Sequence, residues 1–294
     1  MNIPEPVAGP SPEWHPVFRE CPINFKTAFE KPLVQRIASA LVLVPLVLGI
    51  IQYGSPELFV VLVLAAVLGG WREYVELSRN MGFQVYSWVG AALCVLLVIC
   101  FYFNDYFSLW VLTSLTALFV AWYVKENQIS GALDPVAYSF LGLIYVAGLM
   151  GSFILLRHQE QANLWLYFLF MIIWIGDTAA YFVGKILGRT RLVPEISPGK
   201  TVEGAIGGLI GSLGAGLLAR YWFLPEIPLT HCLIMAFLCG TIGQIGDLVE
   251  SLLKRSAGVK DSGSVIPGHG GILDRLDSLM FAGPALYWYH RFFL

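Results

Sequence analysis

Gln161–Gly184 reads QANLWLYFLFMIIWIGDTAAYFVG: 24 residues without Lys, Arg or Glu, and with one Asp, Asp177. About 20 mostly apolar residues are enough for a helix to cross roughly 30 Å of hydrocarbon. The stretch therefore predicts a membrane span. A carboxylate inside such a run is costly, so Asp177 is also a functional candidate. Its structural alternative is a hydrogen bond to a neighbouring helix or a reach to the interface.

Working outward, the same pattern recurs. Ile37–Pro56, Asn80–Asn104, Tyr106–Val124, Pro135–Leu156 and Ile227–Gly246 lack charged side chains. Leu58–Trp71 is shorter and can extend through Glu57; Gly204–Leu224 carries only Arg220; Ser278–Leu294 is the weakest. These segments predict an all-α, polytopic integral membrane protein with about nine transmembrane helices. A cytoplasmic N-terminus would leave 15 Lys and Arg inside and three (Arg157, Arg220 and Arg291) outside. That asymmetry is what the positive-inside rule requires. The chain divides into a Pro-rich cytoplasmic arm (1–32), an N-terminal transmembrane region (33–160) and a C-terminal region carrying two polar cytoplasmic loops (161–294). A surface helix is expected near Phe18–Phe29. A plasma membrane of bacterial type fits this simple architecture.

Composition agrees. Hydrophobic residues make up 57% of the 294 and charged residues 13%, about half the usual share for soluble domains. Mean hydropathy is +0.69. A disordered chain, a coiled coil and an ordinary soluble enzyme are excluded. A net charge of −2 offers no basic excess for nucleic acid. The five cysteines form no CxxC pair, and the four in apolar segments read as small buried residues rather than zinc ligands or disulfides. No internal repeat supports a transporter of inverted halves.

Polar residues gather after Asp177. Asp247 is the second carboxylate expected inside a span. Gly204, Gly207, Gly208, Gly211, Gly214 and Gly216, then Gly240, Gly243 and Gly246, lie at spacings that let helix backbones approach closely. They make neither a Walker loop nor a dinucleotide fingerprint. Ser251–Asp277 reads SLLKRSAGVKDSGSVIPGHGGILDRLD. Lys254, Arg255 and Lys260 suit phosphate, although anchoring at the inner surface explains such a cluster too. Asp274 and Asp277 share a helix face and, with Asp247, can hold a hard divalent cation. A solvated helix start explains that acidic pair equally. His269 is open between phosphate contact, metal ligation and loop capping.

On these residues the sequence resembles the phosphatidate cytidylyltransferases, or CDP-diacylglycerol synthases. The family signature is filled by Ser251, Leu253, Lys254, Arg255, Lys260, Asp261, Gly263, Ile266, Pro267, His269, Gly270, Gly271, Ile272, Asp274, Arg275, Leu276 and Asp277. Gly176–Gly184, Gly188-Arg189, Ile196–Gly204 and Gly246–Ser251 extend the likeness over about the last 120 residues. The resemblance implies that CTP and phosphatidate give CDP-diacylglycerol and pyrophosphate. It further implies dependence on Mg2+, K+ as a candidate second cation, a site facing the cytoplasm and a homodimer.

Combining both readings, Asp247 and Asp274 are expected as metal ligands, with Asp277 beside them and Asp177 positioning a cation or a helix. Lys254, Arg255 and Lys260 are expected on the triphosphate or lipid phosphate. Ser197, Lys200 and Thr201 form a second phosphate-facing element, with Arg275 and His269 as further substrate contacts. A CTP-dependent kinase of polyprenol or another lipid alcohol is the nearest alternative. A cation transporter using Asp177 and Asp247 is the alternative from another class.

Overall fold

The computed structural model describes residues 33–103, 107–125, 133–265 and 270–294. The arm, with the surface helix expected on it, and His269 lie outside the described residues. Helices dominate: α1 (Leu33–Tyr53), α2 (Pro56–Asn80), α3 (Ser87–Tyr102), α4 (Phe107–Lys125), α5 (Leu133–Gly142), α6 (Leu149–Arg157), α7 (Ala162–Leu187), α8 (Val202–Trp222), α9 (Leu229–Ser256) and α10 (Leu273–Phe293). A π-helical turn, Leu143–Gly148, joins α5 to α6 in one rod.

Six of these segments are long and apolar enough to cross a membrane: Pro56–Asn80, Phe107–Val124, Leu133–Arg157, Ala162–Leu187, Val202–Trp222 and Leu229–Ser256. Ser39–Tyr53 and Ser87–Tyr102 are apolar but shorter. Helix α10 is diluted by Asp274, Arg275, Asp277, His290 and Arg291. Large apolar side chains such as Leu41, Leu112, Ile206, Ile210, Leu217 and Phe237 face outward. An exterior that apolar suits lipid rather than water. The chain is an integral membrane protein.

The α5–α6 rod is the pillar of the N-terminal region. It contacts α2, α3 and α10. Tyr74 of α2 lies where a side chain at Gly142 would stand, and its hydroxyl donates to the Tyr138 carbonyl at 2.9 Å. An inserted hydrogen-bonding side chain of this kind commonly accompanies a local break in the α ladder. At the opposite end of the rod, Arg157 donates to the carbonyls of Ile51 (3.0 Å) and Gly54 (2.9 Å), and also to Asn163. It thereby fastens the last turn of α1 to the α6–α7 connection.

In the C-terminal region α8 packs between α7 and α9, and α10 lies along α9. A β-carbon at Gly208 would stand 2.9 Å from Ala180 Cβ, and one at Gly211 2.6 Å from Ala179 Cβ. The glycine stripe therefore serves close packing of α8 on α7. The all-α expectation omitted one small element. After α7, strands β1 (Arg191–Val193) and β2 (Ser197–Thr201) form an antiparallel hairpin. Its turn closes with Ile196 N–H on the Val193 carbonyl at 3.2 Å, with Pro194 second in the turn, where its fixed φ is favourable.

Candidate active site

The ends of α7, α8, α9 and α10 and the hairpin enclose a cavity of about 770 Å³. Close packing builds it. A β-carbon at Gly246 would stand 2.7 Å from the Asp277 carbonyl, so this glycine lets the start of α10 lie against α9. The next residue, Asp247, consequently meets Asp277 across the helix pair. Thr201 starts α8 by accepting Gly204 N–H on Oγ1 at 3.0 Å, an N-cap. Glu203 accepts the amides of Arg189 (3.1 Å) and Thr190 (3.2 Å), which folds the end of α7 back toward the hairpin.

Four carboxylates line the cavity: Asp177, Asp247, Asp274 and Asp277. Four cations line it too: Lys185, Arg189, Arg191 and Lys200. Among the described residues Lys185, Arg189 and Arg191 form no ion pair with these acids, whereas Lys200 reaches in among them. The acids come from the helices, whereas the cations come from the end of α7 and the hairpin. On α7 itself, Asp177 and Lys185 are about 12 Å apart along the axis. Asp177, Asp247 and Asp277 are close enough to interact electrostatically with one another. Lys200 Nζ pairs with Asp247 Oδ2 at 2.7 Å. Among the described residues, no three or more His, Cys, Asp or Glu are placed to hold a metal ion by themselves. Tyr181 is exposed on the cavity wall, with Lys185 Nζ 5.6 Å from its ring centroid.

Of the expected site residues, the cavity brings together Asp177, Asp247, Asp274, Asp277, Lys200 and Thr201. Ser197, Lys254, Arg255, Lys260 and Arg275 are off its wall. Lys254 is held between buried carboxylates, with Nζ 3.0 Å from Glu250 Oε2 and 2.7 Å from Asp274 Oδ1. Arg255 Nε donates to the Ile196 carbonyl at 3.1 Å, tying α9 to the hairpin. Lys260 and Arg275 are exposed, and Ser197 is half-buried at the start of β2.

Asp274 lines the cavity and is also held by donors of the protein. Oδ1 takes Lys254. Oδ2 lies 2.9 Å from Ser262 N, 3.0 Å from Ser262 Oγ and 2.8 Å from Gly271 N. Both oxygens are engaged by protein donors, and the carboxylate fastens the signature loop to its own helix.

Sequence reasoning does not single out Lys185 or Arg191, while Arg189 and, within Gly246–Ser251, Glu250 belong to the resemblance without an assigned role. It also misses Glu73 on α2, a buried carboxylate that reaches the signature loop. A signal for Glu73 existed: it falls on the buried stripe of α2 with Gly70 and Leu77. An acidic residue on an apolar stripe requires a partner.

Comparison with known proteins agrees with the geometry. The model of a family described as the cytidylyltransferase family matches residues 34–293. The phosphatidate cytidylyltransferase of Bacillus subtilis (strain 168) is 44% identical over 156 residues, 53% of this chain and 58% of that protein. That of Staphylococcus saprophyticus is 42% identical over 163 residues, 55% of this chain and 61% of that protein. In both, the match spans less than two thirds of the relative's length. The phosphatidate cytidylyltransferase of Synechocystis sp. is 33% identical over 288 residues, 87% of this chain and 95% of that protein. With a family match running from α1 to α10, the chain belongs to the cytidylyltransferase family.

Proposed function

We propose that this chain transfers the cytidylyl group of CTP to phosphatidate, giving CDP-diacylglycerol and pyrophosphate. The observation that carries the reading is one cavity lined by both acids and cations, with Asp177, Asp247, Asp274 and Asp277 from the helices, Lys185, Arg189 and Arg191 at the end of α7 and the start of the hairpin, and Lys200 linking the two. Triphosphate is a polyanion that Lys185, Arg189 and Arg191 can hold by charge-assisted hydrogen bonds. The lipid's acyl chains stay in the bilayer. Phe182, Ile186 and Leu187, beside the cavity on α7, are exposed and apolar, so a lipid can lie against them while its phosphate turns inward.

The acidic wall fits Mg2+. Asp177, Asp247 and Asp277 interact across a small space, and of the cations on the wall Lys200 is the one paired with Asp247. Like charges gathered this closely are unfavourable without a cation. Magnesium takes one or two carboxylates and completes its shell with water and substrate phosphates, so three dedicated ligands are unnecessary. Asp247 and Asp277 would hold it, with Asp177 beside them. When bound, it would neutralise charge on the reacting phosphates. A monovalent second cation is compatible with the same wall. Asp274, whose oxygens are engaged, acts here as a positioning residue.

In the reaction, a phosphatidate oxygen attacks the α-phosphorus of CTP. The new O–Pα bond forms as the bond from Pα to the β-phosphate's bridging oxygen breaks, and pyrophosphate carries that electron pair away. The nucleophile is already ionised, so neither a serine nor a cysteine intermediate is required. Lys200 stands between the acidic and basic walls and orients the α-phosphate. Lys185, Arg189 and Arg191 receive the leaving pyrophosphate. Positioning and charge stabilisation account for most of the catalysis, as in phosphoryl transfer generally.

The same reading places nine spans in a bacterial cytoplasmic membrane, the N-terminus and cavity facing the cytoplasm, and the chain as a homodimer. The 15-to-3 partition of basic residues supports the orientation. Light scattering of detergent-purified protein would read the dimer. CTP labelled separately at the α- and γ-phosphates tests the activity, with phosphatidate and Mg2+ present. Label from the α position should enter the lipid, while γ label leaves as pyrophosphate. Transfer of γ label to a lipid alcohol would establish the kinase instead. Cation flux through liposomes without nucleotide would favour the transporter.

A further inference from the structure

Helix α10 begins without a side-chain cap of its own. The first N–H groups of any helix lack intrahelical partners. Here a residue 199 positions earlier meets that need. Glu73 of α2 accepts Ile272 N–H on Oε1 at 2.8 Å and Leu273 N–H on Oε2 at 2.9 Å. Its Oε2 also accepts from Ser262 Oγ at 3.1 Å. The side chain is 1% exposed. A carboxylate so buried is stable only with such donors around it.

Two glycines of the signature loop make room for it. A β-carbon at Gly263 would stand 2.7 Å from Glu73 Oε1, and one at Gly271 would stand 2.6 Å from Oε2. The absence of side chains there is therefore a property of the Glu73 contact, as well as of the turn. Ser262 extends the link. Its hydroxyl lies 3.0 Å from Asp274 Oδ2 and 3.1 Å from Glu73 Oε2, and its single proton can serve one of them at a time. Asp274 continues to Lys254 and Glu250 on α9. A continuous polar connection thus runs from α2 through the loop and α10 to α9.

We propose that Glu73 is a positioning residue for the reaction: it clamps the first turn of α10 and so sets Asp277 against Asp247 and Asp177. The proposal rests on the reading of the cavity as the site of cytidylyl transfer. Glu73 is off the cavity wall and touches no reacting atom. Its effect follows from geometry. Asp277 lies one turn beyond the clamped residues, and a displacement of about 1 Å at reacting groups costs on the order of 100-fold in rate.

The test is Glu73→Gln in full-length protein, purified in detergent. The amide nitrogen of Gln presents a donor where the carboxylate accepted one, so one amide is left facing another donor. Hydrogen–deuterium exchange at Ile272 and Leu273, which needs no activity, should quicken by about tenfold or more. With the catalytic assay, kcat should fall by about 30- to 100-fold while KM for CTP and phosphatidate stays within about threefold. Glu73→Asp, which keeps the charge at shorter reach, should recover part of kcat. Unchanged exchange would overturn the clamp. Faster exchange with unchanged kcat, or a rise in KM alone, would overturn the positioning role. If Glu73→Gln does not accumulate, Glu73→Asp decides: its shorter reach weakens both amide bonds, so exchange at Ile272 and Leu273 should quicken and kcat should fall about threefold or more at constant KM; faster exchange with full kcat overturns the proposal. Should the wild-type protein transfer no cytidylyl group, the activity reading fails while the exchange result still judges the clamp.

Discussion

Glycines in the two halves of this molecule make room for different things. In the N-terminal half they admit aromatic rings: a β-carbon at Gly90 would collide with the Trp71 indole, at Gly142 with the Tyr74 ring and at Gly151 with the Phe101 ring. In the C-terminal half many of them admit another backbone or a bare β-carbon. A β-carbon at Gly204 would stand 3.0 Å from the Ala180 carbonyl, one at Gly216 3.0 Å from the Cys232 carbonyl and one at Gly246 2.7 Å from the Asp277 carbonyl. The first arrangement makes a thick apolar scaffold. The second draws helix ends together, and those ends carry the acids. Close packing is therefore what concentrates charge in the C-terminal half, while the N-terminal half supplies support and, through Glu73, one direct fastening to the site.

The largest expected effect separates two acids of the signature region. Asp247 faces the cavity, and its pair with Lys200 is about a third exposed, so it adds little to stability. Asp247→Asn should lower turnover by about 10³-fold with thermal stability nearly unchanged, as loss of one key electrostatic contact does. Asp274→Asn should behave otherwise. It leaves Lys254 with one buried partner instead of two and weakens a pair worth about 3 kcal/mol or more when broken. Thermal unfolding in detergent should shift clearly downward, and the residual activity should keep the wild-type Mg2+ requirement. Equal Mg2+ responses in the two variants would erase the distinction.

Next comes Gly246→Ala. The added methyl meets the Asp277 carbonyl, which belongs to backbone and cannot swing away. The start of α10 must shift, and Asp277 moves with it. Turnover should fall by about 10- to 100-fold, with a stability loss of about 1–3 kcal/mol from overpacking. Steady-state kinetics beside a melting curve would measure both. Near wild-type turnover would show that the α9–α10 approach is not what places the acids.

Much of this was legible before the fold. Charge is so costly in a bilayer that Asp177 and Asp247 stand out in the sequence, and the Ser251–Asp277 signature is local enough to read directly. The assignment of Lys254 and Arg255 to phosphate was legible only as residue type. Their partners Glu250, Asp274 and the Ile196 carbonyl decide what they do, and two of those three come from other parts of the chain. The π turn has no local signal, and the side chain that bonds the rod just before it, Tyr74, arrives from α2. The cations from the end of α7 to the start of the hairpin were hidden because Lys185, Arg189 and Arg191 resemble any inner-surface basic cluster until the chain folds back over the cavity. Glu73 was hidden by a separation of about 200 residues from its partners.

The smallest effect should come from Gly69→Ala, and it probes one of the places where the two halves touch. Gly69 lies four residues before Glu73 on α2, and a β-carbon there would meet the Cδ1 methyl of Ile272. By crowding alone it looks as severe as Gly246→Ala. The difference is in what must yield. Ile272 is held to Glu73 through its backbone N–H, while Cδ1 is the far end of a side chain with other rotamers available. Alanine also suits a helix interior better than glycine by about 1 kcal/mol, which offsets part of the crowding. Turnover should therefore stay within about twofold and the melting temperature should barely move. A loss comparable to that of Gly246→Ala would mean that the Ile272 side chain, not the Glu73 carboxylate, sets the start of α10, and the greater severity of backbone-admitting glycines would then fail.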